Sequence, residues 1–296
     1  IMVMLILKKK LYFEYFKESL YLEYMKNSEE IIDRSALEKR RVRSDKEDNF
    51  LQKVAVQEIK DRLKFFKKKF EKILIVCGNP YYWQEAFHGA DFIDDDERLK
   101  FPQKGYDLVI HGMSLHHSND PIGQLIQCRS AMEKGGLLLG IFLGGQTLNE
   151  LRESIVSAEI ELTGGISPRI LPMIDIRDAG SFLMRAGFAL PVADIMINEI
   201  NYKKPLDLLY DLRKMGETNV QIHRSKKFSH RRLFSLASDK YIKNQNSQNN
   251  SVKATFEFIT ITGWIPSQDT PKPLKRGSAT TRLADALKVK EEKLKD

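Results

Sequence analysis

The chain has 296 residues, 42% of them hydrophobic, with a mean hydropathy of −0.38. That is apolar material for one large domain or two small ones, and it excludes wholesale disorder. The net charge of +8 allows attraction to nucleic acid, anionic lipid or an acidic partner, but both signs are spread along the chain and read as a solvated surface. With only Cys77 and Cys128, a disulfide framework and a Cys-rich zinc module are excluded, and a reducing, cytoplasmic compartment is expected. No apolar run approaches the roughly 18 residues of a membrane span.

In chain order, the first residue is Ile, which reads as a fragment or a doubtful start. Residues 2–7 are apolar and precede Lys8, Lys9 and Lys10, the reverse of a secretory signal. Residues 11–24 could wind into an aromatic amphipathic helix on a membrane surface or have no selected structure, so residues 1–30 are set apart as an extension. Peripheral association with the inner membrane stays open. Coherent globular sequence begins near Ile31.

Apolar residues at Phe50, Leu51, Val54, Ile59, Leu63, Phe66 and Phe70 predict a helix within 44–70. Residues 73–77 form a short branched run ending at Gly78, the pattern of a buried parallel strand. Residues 106–110 and 137–142 are two more. Between them, Pro121 suits a first helical turn and Gly135-Gly136 stops the helix. Helices follow at 147–162 and 175–185, then extended strands at 188–200 and 252–264. The insertion 201–251 is patterned for helices at 205–215 and 228–243, and residues 244–251 are a polar low-complexity loop. Residues 291–296 are a charged, frayed tail. The alternation describes an open α/β sheet with helices on both faces, closed by an antiparallel strand pair, and ligands of such sheets bind outside the strand carboxyl ends.

After the first strand stand Gly78, Asn79 and Pro80, a weak version of a glycine-rich ligand turn. The acids at 94–97 are adjacent on a turn and read as solvated, with one of them available to a nucleoside. His111, His116 and His117 lie within seven residues but lack the closed ligand set of a structural zinc centre, and they read as lining a pocket mouth. No metal ligand and no catalytic residue is assigned. There is no nucleophile elbow, P-loop or kinase motif set.

The segment YDLVIHGMSLHHSNDPIGQLIQCRSAMEKGGLLLGIFLGGQTLNELR resembles the second half of class I S-adenosylmethionine-dependent methyltransferases. Its closest look is to the mitochondrial and alphaproteobacterial methyltransferase-like family involved in assembly of respiratory complex I, distantly similar to the malonyl-acyl-carrier-protein methyltransferases. The most specific segments are 142–152, 164–169, 211–219, 262–264 and 276–279, and IDRSALEKRRVRSDKEDNFL is similar to the family's opening helix.

The resemblance implies a Rossmann-like class I methyltransferase sheet with an antiparallel edge, occupying residues 31–290, with 201–251 as a helical cap. It implies Gly78, Asp95, Ser114 and His116 at an S-adenosylmethionine site. Gly144, Gly145, Arg152, Arg169, Glu217 and Asn219 would face a substrate or partner, and Met215 and Gly216 would approach with the cap. The first half departs from the family, because only residues 79–105 separate Gly78 from Tyr106. Two strands and three crossovers need roughly 40 residues. One strand–helix unit is therefore expected to be missing, including the acid that holds the ribose, and cofactor binding to be weak or lost.

Two functions follow from the resemblance. One is an enzyme, by methyl transfer or by hydroxylation of an arginine on a complex I iron–sulfur subunit. The other is a non-catalytic relative that keeps the fold and the partner surface. Hydroxylation would need an oxygen-activating centre, and no convincing pair of histidines with one carboxylate stands out in the sequence. The basic runs at 39–43 and 67–69 lack a recognition module, so nucleic acid is not expected.

Overall fold

The computed structural model describes residues 30–245, 251–267, 277–278 and 281–288. The expectations for 1–29, for most of 244–251, for most of 276–279 and for 291–296 fall outside them. The chain divides into two compact units, one ending at Pro266 and one running from Ser267 to Asp296. In the second unit the described helix is Leu283–Leu287.

The first unit carries α1 (Arg34–Val42), α2 (Phe50–Lys64), β1 (Ile73–Cys77), α3 (Tyr81–Ala86), β2 (Asp91–Ile93) and β3 (Tyr106–Gly112). They are followed by a 3-10 turn at Leu115–His117, α4 (Pro121–Ala131), β4 (Met132–Leu143), α5 (Asn149–Thr163) and α6 (Ile176–Arg185). The unit closes with β5 (Ala189–Tyr202), α7 (Pro205–Met215), α8 (Arg231–Asn244) and β6 (Val252–Trp264). Helix starts follow local capping chemistry. Asp33, Asn49, Asp120 and Asp175 each accept a backbone N–H of their own first turn.

The six strands lie in the order β2-β1-β3-β4-β6-β5. β1, β2, β3 and β4 are mutually parallel, and β6 runs antiparallel to both β4 and β5. The three central parallel strands and the antiparallel edge stand where the sequence predicts them. Side chains alternate between two cores. Ile75 and Cys77 pack with α2 residues Leu51, Ala55 and Ile59, whereas Leu74 and Val76 pack with Leu125 and Cys128 of α4 and Leu183 of α6. Both faces of the central strands are covered, whereas Val192, Ile195 and Ile197 of edge strand β5 are exposed.

The Gly135-Gly136 pair is a correction. It does not stop α4 but lies inside β4, where Gly135 donates to the Ile265 carbonyl (3.1 Å) and Gly136 accepts from Ile265 N–H (2.9 Å). The missing unit falls at the outer edge. One short helical crossover, 78–90, leads to β2, and 94–105 then returns to β3 without a helix. Asp94 and Asp95 follow β2 directly.

Gly140 of β4 leaves no room for a side chain against β6. A Cβ there would stand 2.7 Å from Ile261 Cγ1 on the paired strand β6. Gly140→Ala is expected to cost about 1–3 kcal/mol in urea unfolding through overpacking. The double variant Gly140→Ala/Ile261→Ala should be less destabilised than the sum of the single variants. Simple additivity would place the two residues out of contact and contradict the register.

Candidate functional site

Three strand ends meet one helix. The turn after β1 is Gly78-Asn79-Pro80, and Pro80 begins α3 without a side-chain cap. Asp95 stands just beyond β2, and Met113, Ser114 and the 3-10 turn follow β3. Opposite them lies α1. Arg34 and Arg41 are two helical turns apart and therefore share a face.

That face closes on Asp95, which is 1% exposed. Arg41 grips the carboxylate as a fork, Nη1 on Oδ1 at 2.5 Å and Nη2 on Oδ2 at 2.8 Å. Arg34 Nη2 donates to the Asp95 carbonyl (2.9 Å) and to Oδ1 (3.3 Å). Burial alone would raise the Asp95 pKa. The hydrogen bonds of Arg41 and the charges of Arg41 and Arg34 override it and hold the carboxyl well below the usual range.

The network runs on through α4. Gln124 Nε2 donates to the Asp95 and Asp96 carbonyls at 3.0 and 3.1 Å. Its Oε1 faces His111 Nε2 at 3.0 Å, and His111 Nδ1 faces Ser114 Oγ at 3.3 Å. These partners assign His111 as neutral with the proton on Nε2, and burial pushes its pKa down to about 4. Ser114 is thus held by the network.

This arrangement fills the place a dinucleotide-type ligand needs. A Cβ at Gly78 would overlap the Arg41 guanidinium, so the glycine's open face is taken by the chain itself. The cleft that remains between Arg41, Asn79, Met113 and Glu217 holds about 10 Å³, against the roughly 300 Å³ or more of a small-molecule site. Pro80 adds no N–H donor. S-adenosylmethionine does not fit these residues as they stand.

A second space does have ligand dimensions. A cavity of about 900 Å³ opens between α5, α7, α8 and residues 169–173. Helical spacing builds its walls, with Leu206, Leu209, Tyr210 and Arg213 on α7 and Arg231, Phe234, Ser235 and Ser238 on α8. Leu208, Leu212 and Met215 of α7 are buried and belong to the main core. The insertion therefore covers the core and lines the cavity.

Of the partner residues expected from sequence, Arg169, Glu217 and Asn219 meet on the cavity wall. Arg169 is tied to Glu159 (2.8 Å) and to Ser229 (2.9 Å), and Asn219 donates to the Pro168 carbonyl at 2.7 Å. Gly144, Gly145 and Arg152 are not on that wall. Gly144 donates its N–H to the Glu257 carbonyl at 2.8 Å and forms a β-bridge with Ile174. Gly145 lies close beside the Met173 and Ile174 carbonyls, and Arg152 braces the Leu171 carbonyl at 3.3 Å.

Glu217 leaves the end of α7 through Gly216, whose φ of +81° favours glycine. It arrives against the 3-10 turn, 3.5 Å from His116 Nε2 and 3.4 Å from His117 Nε2. The two rings lie 4.1 Å apart by centroid. Burial pushes His117 down to about 3. Burial opposes ionisation of Glu217, yet the two histidines and Arg41 hold its pKa at about 2. His116, expected at the cofactor, faces Glu217 instead.

No family model matches the chain. A curated relative from Danio rerio, "Arginine-hydroxylase NDUFAF5, mitochondrial", is 37% identical over 195 residues, 66% of this chain and 60% of that protein. The Homo sapiens protein of the same name is 35% identical over 66% of this chain and 56% of its own length. The chain is a homologue of the NDUFAF5 arginine-hydroxylases. It spans about three fifths of those relatives. A malonyl-[acyl-carrier protein] O-methyltransferase of Gallionella capsiferriformans is 24% identical over 70% of this chain and 69% of that one. Among solved structures, YcgJ of Bacillus subtilis aligns with a TM-score of 0.43 and 13% identity, over 71% of this chain and 99% of that chain. That likeness is loose, so the methyltransferase-like fold rests on the strand order itself.

Asp95→Asn leaves two guanidinium groups facing a neutral amide and should cost about 3–5 kcal/mol at pH 7. Because the native Asp95 pKa lies below its unfolded value near 3.9, its contribution is present above that pH and is lost as pH falls toward the native value. Urea unfolding should show the gap between wild type and Asp95→Asn narrowing below about pH 4. A gap independent of pH would mean that the ionised carboxylate is not the stabilising species.

Proposed function

We propose that the chain serves respiratory complex I assembly by engaging a segment of an iron–sulfur subunit in the 900 Å³ cavity and hydroxylating an arginine there. The observation that carries this reading is the Arg41 guanidinium seated on Gly78 and locked to Asp95, which leaves methyl transfer from S-adenosylmethionine without a place for its donor. The names of the relatives supply the reaction, and the cavity supplies room for a side chain with its flanking peptide.

Hydroxylation replaces one C–H bond with C–OH. One atom of dioxygen enters the product, and the other leaves as water with two electrons and two protons from an organic reductant. The chain's part is to bind and orient. Two carboxylates, Glu217 and Asp239, stand on the cavity wall, and a guanidinium is recognised by such groups through paired hydrogen bonds. Glu217 is engaged with the histidines, so Asp239 is the carboxylate free to take the arginine. Arg169 on the same wall is neutralised by Glu159.

The mitochondrial naming of the relatives does not support the cytoplasmic expectation. Among the described residues no helix is long and apolar enough to cross a membrane.

Coexpression with the complex I iron–sulfur subunit, followed by mass spectrometry of the subunit, tests the proposal. An arginine of the subunit should gain the mass of one oxygen atom. Asp239 is exposed on α8, so Asp239→Asn should fold normally. It should lower capture of the subunit by roughly 10- to 100-fold, the worth of one charge-assisted hydrogen bond. A methylated subunit, or an unmodified one, would overturn the reading.

A further inference from the structure

His116 and His117 are consecutive on a turn that β3 places at the sheet's carboxyl edge, and Glu217 is brought to them from about 100 residues away by the cap. The His116 side chain is wholly buried. Among the described residues no group hydrogen-bonds to His116 Nδ1, His116 Nε2 or His117 Nδ1. A buried polar atom without a partner is costly; the two Nδ1 atoms have none and His116 Nε2 has only the distant Glu217 Oε2 beside it, which calls for a physical reason. Packing alone does not give one, because two apolar side chains would fill the same space at less cost.

The distances give one. At 3.4 and 3.5 Å the histidine nitrogens are too far from Glu217 Oε2 for good hydrogen bonds. They match neighbouring ligands of one ion instead. With metal–ligand bonds of about 2.1 Å at angles between octahedral and tetrahedral, adjacent ligand atoms stand about 3.0–3.5 Å apart. One ligand atom from each of the three residues lies within 4.8 Å of the others.

We infer that His116, His117 and Glu217 form a binding site for a divalent transition-metal ion of the two-histidine, one-carboxylate class. Three protein ligands leave coordination positions open, the pattern of reactive rather than structural centres. His117 and Glu217 also line the 900 Å³ cavity, so the open positions face the proposed substrate space. Arg41 stands nearby with its charge partly offset by Asp95. The role of the ion in oxygen chemistry rests on the proposed hydroxylation; its binding does not.

The test uses the metal alone. Co(II) titrated into metal-free full-length protein, followed by visible absorption, should bind one equivalent saturably and with histidine nitrogen coordination. Glu217→Gln and His117→Asn should each weaken binding by about a hundredfold, while circular dichroism confirms that both variants are folded. His88→Asn, at an exposed histidine, should bind like the wild type. Absence of saturable binding, or binding that survives both substitutions, overturns the inference. Binding without arginine oxygenation would sink the proposed hydroxylation and leave the metal site standing.

Discussion

A carboxylate that is 1% exposed between two arginines is the constraint around which the site is organised. An unpaired ion at that depth would cost several kcal/mol, and the fork from Arg41 together with the Arg34 contact offsets it. The pair also fixes geometry. It draws α1 across the ends of β1, β2 and β3, and through Gln124 it fixes the tautomer of His111 and the position of Ser114. In a doubly wound sheet this is the crevice where a nucleotide would lie. Here the cation is the chain's own.

Closing one side of the crevice sets the value of the other. The cap helices α7 and α8 wall the large cavity, and the end of α7 at Met215, Gly216 and Glu217 also borders the closed cleft. The His116–His117–Glu217 cluster lies between the closed cleft and this cavity, with His117 and Glu217 on the walls of both. The ion-pair lock and the polar cluster are neighbours, so changes to Arg41 will be felt at Glu217, and the two sites are not expected to be independent.

Much of the fold is legible in the sequence because it rests on local pattern. Branched apolar runs such as 73–77 mark buried strands, and helix starts such as Asp120 ahead of Pro121 are capping chemistry. The Gly135-Gly136 pair misleads for a physical reason. Gly135 takes a φ of +72° inside β4, and a Cβ at Gly136 would stand 3.1 Å from the Glu133 and Tyr106 carbonyl oxygens, requirements that sequence cannot distinguish from a helix stop. The shortened first half is legible by counting residues, yet the count cannot say which strand is absent. Only the sheet order shows that the edge is lost and that Asp95 keeps its place after β2.

The site was less legible. Asp95 stands out in sequence, but Arg41 reads as part of the basic run at 39–43 and Arg34 only as part of an opening helix, although their spacing already puts the two on one face of a helix. The metal cluster was invisible because its carboxylate comes from Glu217, which sequence assigns to a partner surface. Calorimetric titration of S-adenosylmethionine into the full-length protein is the most direct test of the central claim that the chain fills its own cofactor place. The account predicts no saturation below about millimolar concentration. Saturation at low micromolar concentration would mean that Arg41 leaves Gly78 readily, and would contradict it.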